Sequence, residues 1–187
     1  MAEAAPPPLD RALPWALPEG GLDLFEEHGL QQIGLRLRPP FSAYMAGLPL
    51  PLEPNRVAAM GAMRSLWLGP DEWLLTAPEN ATPGLFGRLQ RAVGGRRAAV
   101  TDLSSSRAVI AVAGERARDL LAAGCGLDLH PRVFAPGQCA QTLFARVPII
   151  LDQVGAQPQY RLFVRRSYAR WLCAYMIDAA AGLDREG

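Results

Sequence analysis

The chain has 187 residues, half of them apolar and a fifth charged. That suits one domain, or two intimately packed halves, burying roughly 70% of the unfolded surface without disulfide or metal staples. A formal net charge of +1 excludes the basic signature of a nucleic-acid binder or of a protein held at an acidic membrane surface, and no apolar run is long enough to span a bilayer.

Residues 1–20 form a proline-rich arm with Pro6-Pro7-Pro8, Pro14 and Pro18, a composition that favours extended or polyproline backbone. It has neither the basic start nor the apolar core of a secretory signal. Trp15 and Leu17 give it apolar anchors suited to lying along a neighbouring subunit. Two α+β halves follow, 21–100 and 101–187. Leu22 to Leu30 reads as a short helical turn with Leu24 or Phe25 facing inward. Ile33, Leu35 and Leu37 alternate with Gly34, Arg36 and Arg38, the period of a half-buried strand. Phe41 to Asn55 is proline-rich and reads as a surface excursion. Ser65–Leu68 and Glu72–Ala77 flank the turn tripeptide Gly69-Pro70-Asp71, which predicts a hairpin with Trp73, Leu75 and Ala77 on its buried face. Thr82-Pro83 predicts an N-cap and a first-turn proline. The stripe Leu85, Phe86, Leu89 and Val93 then ends at Gly94-Gly95.

The second half opens on the strand Val109–Ala113. A helix over Glu115–Ala123 has Ala117, Leu120 and Leu121 on one face, and Gly124 is placed to end it in the left-handed conformation. A shaped loop leads through Pro136-Gly137 into a strand at Cys139–Phe144. Val147–Asp152 and Tyr160–Arg165 are two further strands. Ser167 is placed to cap a helix to Ala181 with a core face of Tyr168, Trp171, Leu172, Tyr175, Met176 and Ala179. The recurrence of hairpin, strand and closing helix is a weak internal repeat. It predicts an α+β protein, a two-layer sandwich of two intimately packed β-α-β-β-like halves.

Candidate chemistry is sparse. Cys125, Cys139 and Cys173 are far apart with no C-x-x-C pair, so they read as buried thiols of a cytoplasmic protein rather than a disulfide framework or zinc ribbon. The two histidines, His28 and His130, have no cysteine or second histidine at ligand spacing, so no metal site is predicted. His130 precedes Pro131 in a loop, where its ring is expected to bond to backbone. Asp71-Glu72 suit the hairpin turn. Asp102 ends an apolar segment before Ser104-Ser105-Ser106; it is placed either to cap that turn or, as a folate-site candidate, to contact a folate or an amine. Cys139 alternates with its neighbours in a strand and reads as core. The arginine groups Arg88, Arg91, Arg96 and Arg97, and Arg161, Arg165, Arg166 and Arg170, have no Gly-rich phosphate loop beside them. They read as solvated rims or subunit contacts, with Arg165 and Arg166 as interface candidates. No catalytic residue is assigned.

Four blocks carry a family resemblance: L-G-P-D-E-W-L-L from Leu68, D-L-S-S-S-R from Asp102, L-D-L-H-P-R-V-F-A-P-G-Q-C-A-Q-T from Leu127 and Y-R-L-F-V-R-R-S-Y from Tyr160. In this order they resemble the gamma subunit of heterotetrameric sarcosine oxidase and span most of Leu66 to Ala180. The resemblance implies a fold like the folate-binding domain of the glycine-cleavage T-protein. It also implies alpha, beta and delta subunits as partners. The complex oxidises sarcosine with O2 to glycine, formaldehyde or methylene-tetrahydrofolate, and hydrogen peroxide. FAD, FMN, NAD, tetrahydrofolate and zinc would lie on the other subunits and no cofactor on this chain, which would act in assembly. Folate-binding relatives carry a Lys-Gly-Cys-type motif. Here Ala135-Pro136 precede Gly137, and the chain has no lysine, which argues against folate chemistry there. Alternatives are a gamma-type subunit of N-methylglutamate dehydrogenase, a stand-alone folate-binding aminomethyltransferase-like protein, and a general interaction module.

Overall fold

The computed structural model describes residues 21–40, 42–155 and 157–183. In chain order the strands and helices are β1 (Asp23–Glu26), β2 (Leu30–Leu37), β3 (Tyr44–Met45), β4 (Leu48–Pro49), β5 (Val57–Met60), β6 (Met63–Gly69), β7 (Glu72–Pro78), α1 (Leu85–Val93), β8 (Ala98–Asp102), β9 (Arg107–Ala113), α2 (Ala117–Ala122), β10 (Cys139–Phe144), β11 (Val147–Gly155), β12 (Gln159–Arg165) and α3 (Arg166–Leu183). They form two α+β units. Among the described residues, one takes 21–27, Ser105–Pro136 and 140–183; the other takes His28–Ser104 and Gly137–Cys139. Strand exchange crosses the sequence division at 100 and 101, because β1 pairs with β9 (Leu24 opposite Val112).

The His28–Ser104 unit is a sheet of order β5-β6-β7-β2-β8. The predicted hairpin is β6–β7, with Trp67 opposite Trp73. Trp73, Leu75 and Ala77 are fully buried with Ile33, Leu35, Leu85 and Leu89. The Trp73 Nε1–H donates to the Pro51 carbonyl at 2.8 Å, so this large ring is buried with its polar edge satisfied. The proline-rich excursion is more ordered than predicted. It contains the β3–β4 ribbon, and Met45, Leu48 and Leu50 are core residues. Helix α1 starts later than Thr82-Pro83 suggests: Gly84 occupies the cap with φ of 69°, and the Thr82 N–H bonds the Pro78 carbonyl.

The other unit is a sheet of order β1-β9-β12-β11-β10 with α3 packed on β9 and β12 and α2 against α3. Leu22–Leu30 is not a helical turn. Asp23–Glu26 is a strand, with Leu24 buried as expected and Glu26 also nearly covered. Edge pairing with β9 overrides the weak local preference. Helix α2 begins at Ala117 rather than Glu115. Gly114 has φ of 106°, and a Cβ there would overlap the Gly21 carbonyl; only glycine lets the chain pass so close. Gly124 is not in the left-handed region. A Cβ there would stand 2.9–3.1 Å from the Phe144 ring, so this glycine makes room for an aromatic rather than reversing a helix.

Helix α3 corrects the predicted core face. Its buried stripe is Ala169, Leu172, Cys173, Met176 and Ala180, rotated by roughly a quarter turn from the aromatic face. Trp171 is 51% exposed and Tyr168 44%. The small residues Ala169, Cys173 and Ala180 let the helix sit close on the sheet, which leaves the large rings at its flank. Ser167 lies inside the helix rather than capping it, since the helix begins at Arg166 directly after β12.

Candidate functional site

The residues nominated for chemistry are each engaged in local structure. Asp102 ends β8 and is exposed. Its Oδ1 accepts from the Ser104 N–H at 2.9 Å, and Ser104 Oγ accepts from the Gln32 N–H at 2.9 Å. This carboxylate closes a turn and ties the start of the Ser-rich segment to β2. The His130 N–H donates to Asp128 Oδ1 at 2.9 Å, and its Nδ1 accepts from the Arg132 N–H at 3.3 Å. That bond helps build the loop. Cys139 is 1% exposed, and its Sγ donates towards the Arg56 and Trp67 carbonyls at 3.6 and 3.5 Å. Burial, with the Glu26 charge second, pushes the Cys173 thiol up to about 12, so it is an inert core thiol. Cys125 is buried too, and all three cysteines are unpaired by disulfide. Among the described residues, no three of His, Cys, Asp and Glu stand together as metal ligands. No described helix is long and apolar enough to cross a membrane.

The sequence reading passed over one ionic cluster. Arg161 on β12 grips Glu27 through two bonds of 2.6 and 2.7 Å, the bidentate geometry that favours arginine. The fully buried Asp152 of β11 is the register partner of Arg161. Tyr160, next along β12, has its hydroxyl pKa raised by burial, partly offset by the Arg118 guanidinium. The cluster fastens β1 and the following turn to the sheet, a structural role.

What this unit presents outward is more distinctive. On α3, Trp171 stacks on Tyr175 at 5.7 Å, and Tyr175 meets the buried Phe144 edge-on. The Tyr175 hydroxyl donates to the Ala123 carbonyl at 3.1 Å at the C-terminus of α2, so the ring pair has a fixed base. Of the interface candidates, Arg166 stands at the start of this helix, where its Nε donates to the Ser105 carbonyl at 3.0 Å. Arg165 is exposed at the end of β12 and lines an open groove of about 380 Å³. Trp15 and Leu17 lie outside the described residues. The sequence reading missed that groove, since its walls come from β9, β10, β11 and β12, which only the register brings together.

A family model described as the sarcosine oxidase, gamma subunit family matches residues 39–182. Among curated proteins, the sarcosine oxidase subunit gamma of an Arthrobacter species is 36% identical over 159 residues, 80% of this chain and 77% of that one. The same subunit of Corynebacterium sp. strain U-96 is 37% identical over 154 residues, 79% and 74% of the two chains. Among solved structures, a chain of the heterotetrameric sarcosine oxidase from Corynebacterium sp. U-96, in complex with pyrrole 2-carboxylate, matches with a TM-score of 0.79 and 35% identity, over 86% of this chain and 84% of that one. The glycine cleavage system aminomethyltransferase T from Bartonella henselae matches with a TM-score of 0.64 at 16% identity, over 84% of this chain but 45% of that one. This last likeness is one of fold alone and agrees with the expected T-protein-like architecture. On the match over residues 39–182 and these relatives, the chain belongs to the sarcosine oxidase gamma subunit family.

Proposed function

We propose that this chain serves a cytoplasmic heterotetrameric sarcosine oxidase as its non-catalytic gamma subunit, holding the alpha, beta and delta subunits in their assembled state. The complex would convert sarcosine, O2 and water to glycine, formaldehyde and hydrogen peroxide, or deliver the one-carbon unit as methylene-tetrahydrofolate. FAD, FMN, NAD, tetrahydrofolate and zinc would be held by the other subunits.

The observation that carries this reading is the exposed aromatic flank of α3. Tyr168 and Trp171 are about half exposed on a helix whose buried stripe is already filled. Large exposed apolar side chains grouped together mark an interaction surface, and Trp, Tyr and Arg are the residues that most often anchor one. Arg165, Arg166, Trp15 and Leu17 are the further interface candidates. The nominated catalytic alternatives point the same way: Asp102, His130 and Cys139 spend their polar atoms on turns, a loop and the core.

The test is turnover per bound flavin in the assembled complex carrying Cys139→Ser or His130→Gln, beside Trp171→Ala. The first two are expected to leave turnover within about twofold of wild type, whereas Trp171→Ala lowers the yield of assembled complex. Loss of turnover by orders of magnitude with assembly intact in either of the first two would overturn the non-catalytic role.

A further inference from the structure

Strand β8 is the last strand of its five-stranded sheet and pairs with β2. The Arg38 N–H donates to the Arg97 carbonyl at 3.0 Å, and the Leu103 N–H to the Gln32 carbonyl at 2.7 Å. These bonds fix the parity of the antiparallel ladder: Arg97, Ala99, Thr101 and Leu103 turn their main-chain groups towards β2. Ala98, Val100 and Asp102 turn theirs the other way, where no described residue bonds them. Such an edge is a template for another strand, and proteins usually blunt it with a bulge, a proline or a charge. From Ala98 to Thr101 the register is unbroken, and Ala-Ala-Val-Thr carries none of these devices. Ala99, Thr101 and Asp102 are exposed. At the Ala98 end of the strand, Arg38, Arg96 and Arg97 line an open groove of about 560 Å³ with Pro39, Pro40 and Ser42. All three arginines are exposed, and among the described residues none has a side-chain hydrogen bond or ion pair. Nearby Arg36 is held by Glu72 at 2.6 Å, and Asp71 lines the adjoining groove with Arg36, Arg38 and Arg97. The cluster therefore keeps an excess of positive charge beside an open strand edge.

We propose that β8 receives an extended, acidic segment of a partner subunit as a sixth strand. Its main chain would bond Ala98, Val100 and Asp102, and a carboxylate would lie against Arg96 and Arg97. The inference rests on the subunit role proposed above and locates one contact of that assembly. Strand addition takes its affinity from main-chain bonds and its specificity from side chains at alternate positions. Charge complementarity selects the occupant: exposed guanidinium groups take a carboxylate through directed, charge-assisted bonds. Asp102 at the far end repels a second acid there and so sets which end of the segment carries the charge. A second copy of this chain fits less well. Its own β8 would offer only Asp102, whose Oδ1 already closes the turn at Ser104.

The experiment compares the affinity of the full chain for its cognate partner subunits at low and high salt, using wild type, Ala98→Pro, Arg97→Glu and the control Arg132→Glu. The Ala98 N–H points away from β2, so proline there removes no ladder bond and is tolerated as at other strand edges. Arg97 is exposed, so its variant keeps the wild-type melting temperature and tests the site even if Ala98→Pro folds poorly. Arg132 is exposed in the other unit, and its reversal changes net charge by the same amount as that of Arg97. Ala98→Pro is expected to weaken association about tenfold at both salt concentrations, the loss of about one net main-chain bond. Arg97→Glu should weaken it about tenfold at low salt and flatten its salt dependence, and Arg132→Glu should stay within about twofold. Hydrogen exchange at the Val100 and Asp102 amides should slow when the wild-type complex forms. If wild type associates and neither β8 variant falls further than Arg132→Glu, the edge is not the contact and only this inference fails. Weakening by Arg97→Glu with Ala98→Pro unchanged would show an ionic contact without strand addition and also overturn it. Failure of wild type itself to associate overturns the subunit role as well. Dimerisation of the isolated chain that Ala98→Pro abolishes, with partner affinity unchanged, would make a second copy the occupant and overturn the partner assignment.

Discussion

The orientation of α3 can be tested by two truncations one residue apart. Leu172 is fully buried, so Leu172→Ala removes its branched end from a packed site. That costs about 2–5 kcal/mol through lost transfer energy plus the cavity left behind. Trp171 is 51% exposed. A tryptophan presents about 150–250 Å², so roughly 100 Å² of it is covered here. At about 25 cal/mol per Å² that bounds the loss near 2.5 kcal/mol. Unfolded-chain burial lowers the bound by about 10–40%, and alanine is the better helix former by about 0.5 kcal/mol. The net expectation for Trp171→Ala is about 1 kcal/mol. In a chain of this size a loss of 1 kcal/mol lowers the melting temperature by about 2–4 °C. Leu172→Ala should therefore melt at least about 4 °C below wild type and Trp171→Ala only a few degrees below. The assay is chemical denaturation followed by far-UV circular dichroism, with thermal melts alongside. A Trp171→Ala loss equal to or greater than that of Leu172→Ala would put the ring in the core and refute both the helix rotation and the exposed patch.

Other consequences follow from single contacts. Gly124→Ala should lose about 1–3 kcal/mol by overpacking, since the new methyl meets the Phe144 ring at 2.9–3.1 Å; an unchanged denaturation midpoint would remove that reason for the glycine. Glu27→Gln should lose about 1–3 kcal/mol by weakening charged hydrogen bonds to Arg161, and a variant as stable as wild type would show the pair to be idle. The Cys173 thiol titrates near 9 when unfolded and near 12 when folded. The unfolded state therefore releases its proton first, and stability falls as pH rises from 9 towards 12, by at most about 1.4 kcal/mol per pH unit. Cys173→Ala should flatten this alkaline loss, and an identical pH profile would contradict the burial assigned to the thiol.

Much of the fold was legible because its strands are written in period two and its turns in Gly, Pro and Asp. The β6–β7 hairpin was readable from Gly69-Pro70-Asp71 and the alternation of Trp73, Leu75 and Ala77. Where local pattern and tertiary packing compete, reading failed. Asp23–Glu26 carries no strong strand signal and becomes a strand because β9 offers an open edge. Met45, Leu48 and Leu50 were hidden among prolines. On α3, ring size pointed to Trp171 as core, whereas the sheet is met by alanine and cysteine, whose value is the closeness they permit. At the candidate sites, the local bonds of Asp102 and His130 could be anticipated from Asx-turn and loop chemistry. The groove that Arg165 lines could not, because its walls on β9, β10, β11 and β12 meet only through strand register.

The proposed assembly role is tested most directly by what the chain does to its partners. The measurement is sedimentation velocity of the cognate subunits expressed with and without it, followed by flavin content and activity after mild heating. With the chain present, a single four-subunit species should sediment and keep its flavin and activity. Without it, that species should be lost or should inactivate several-fold faster. Partner subunits that assemble, retain flavin and survive heating equally well in its absence would contradict the assembly role.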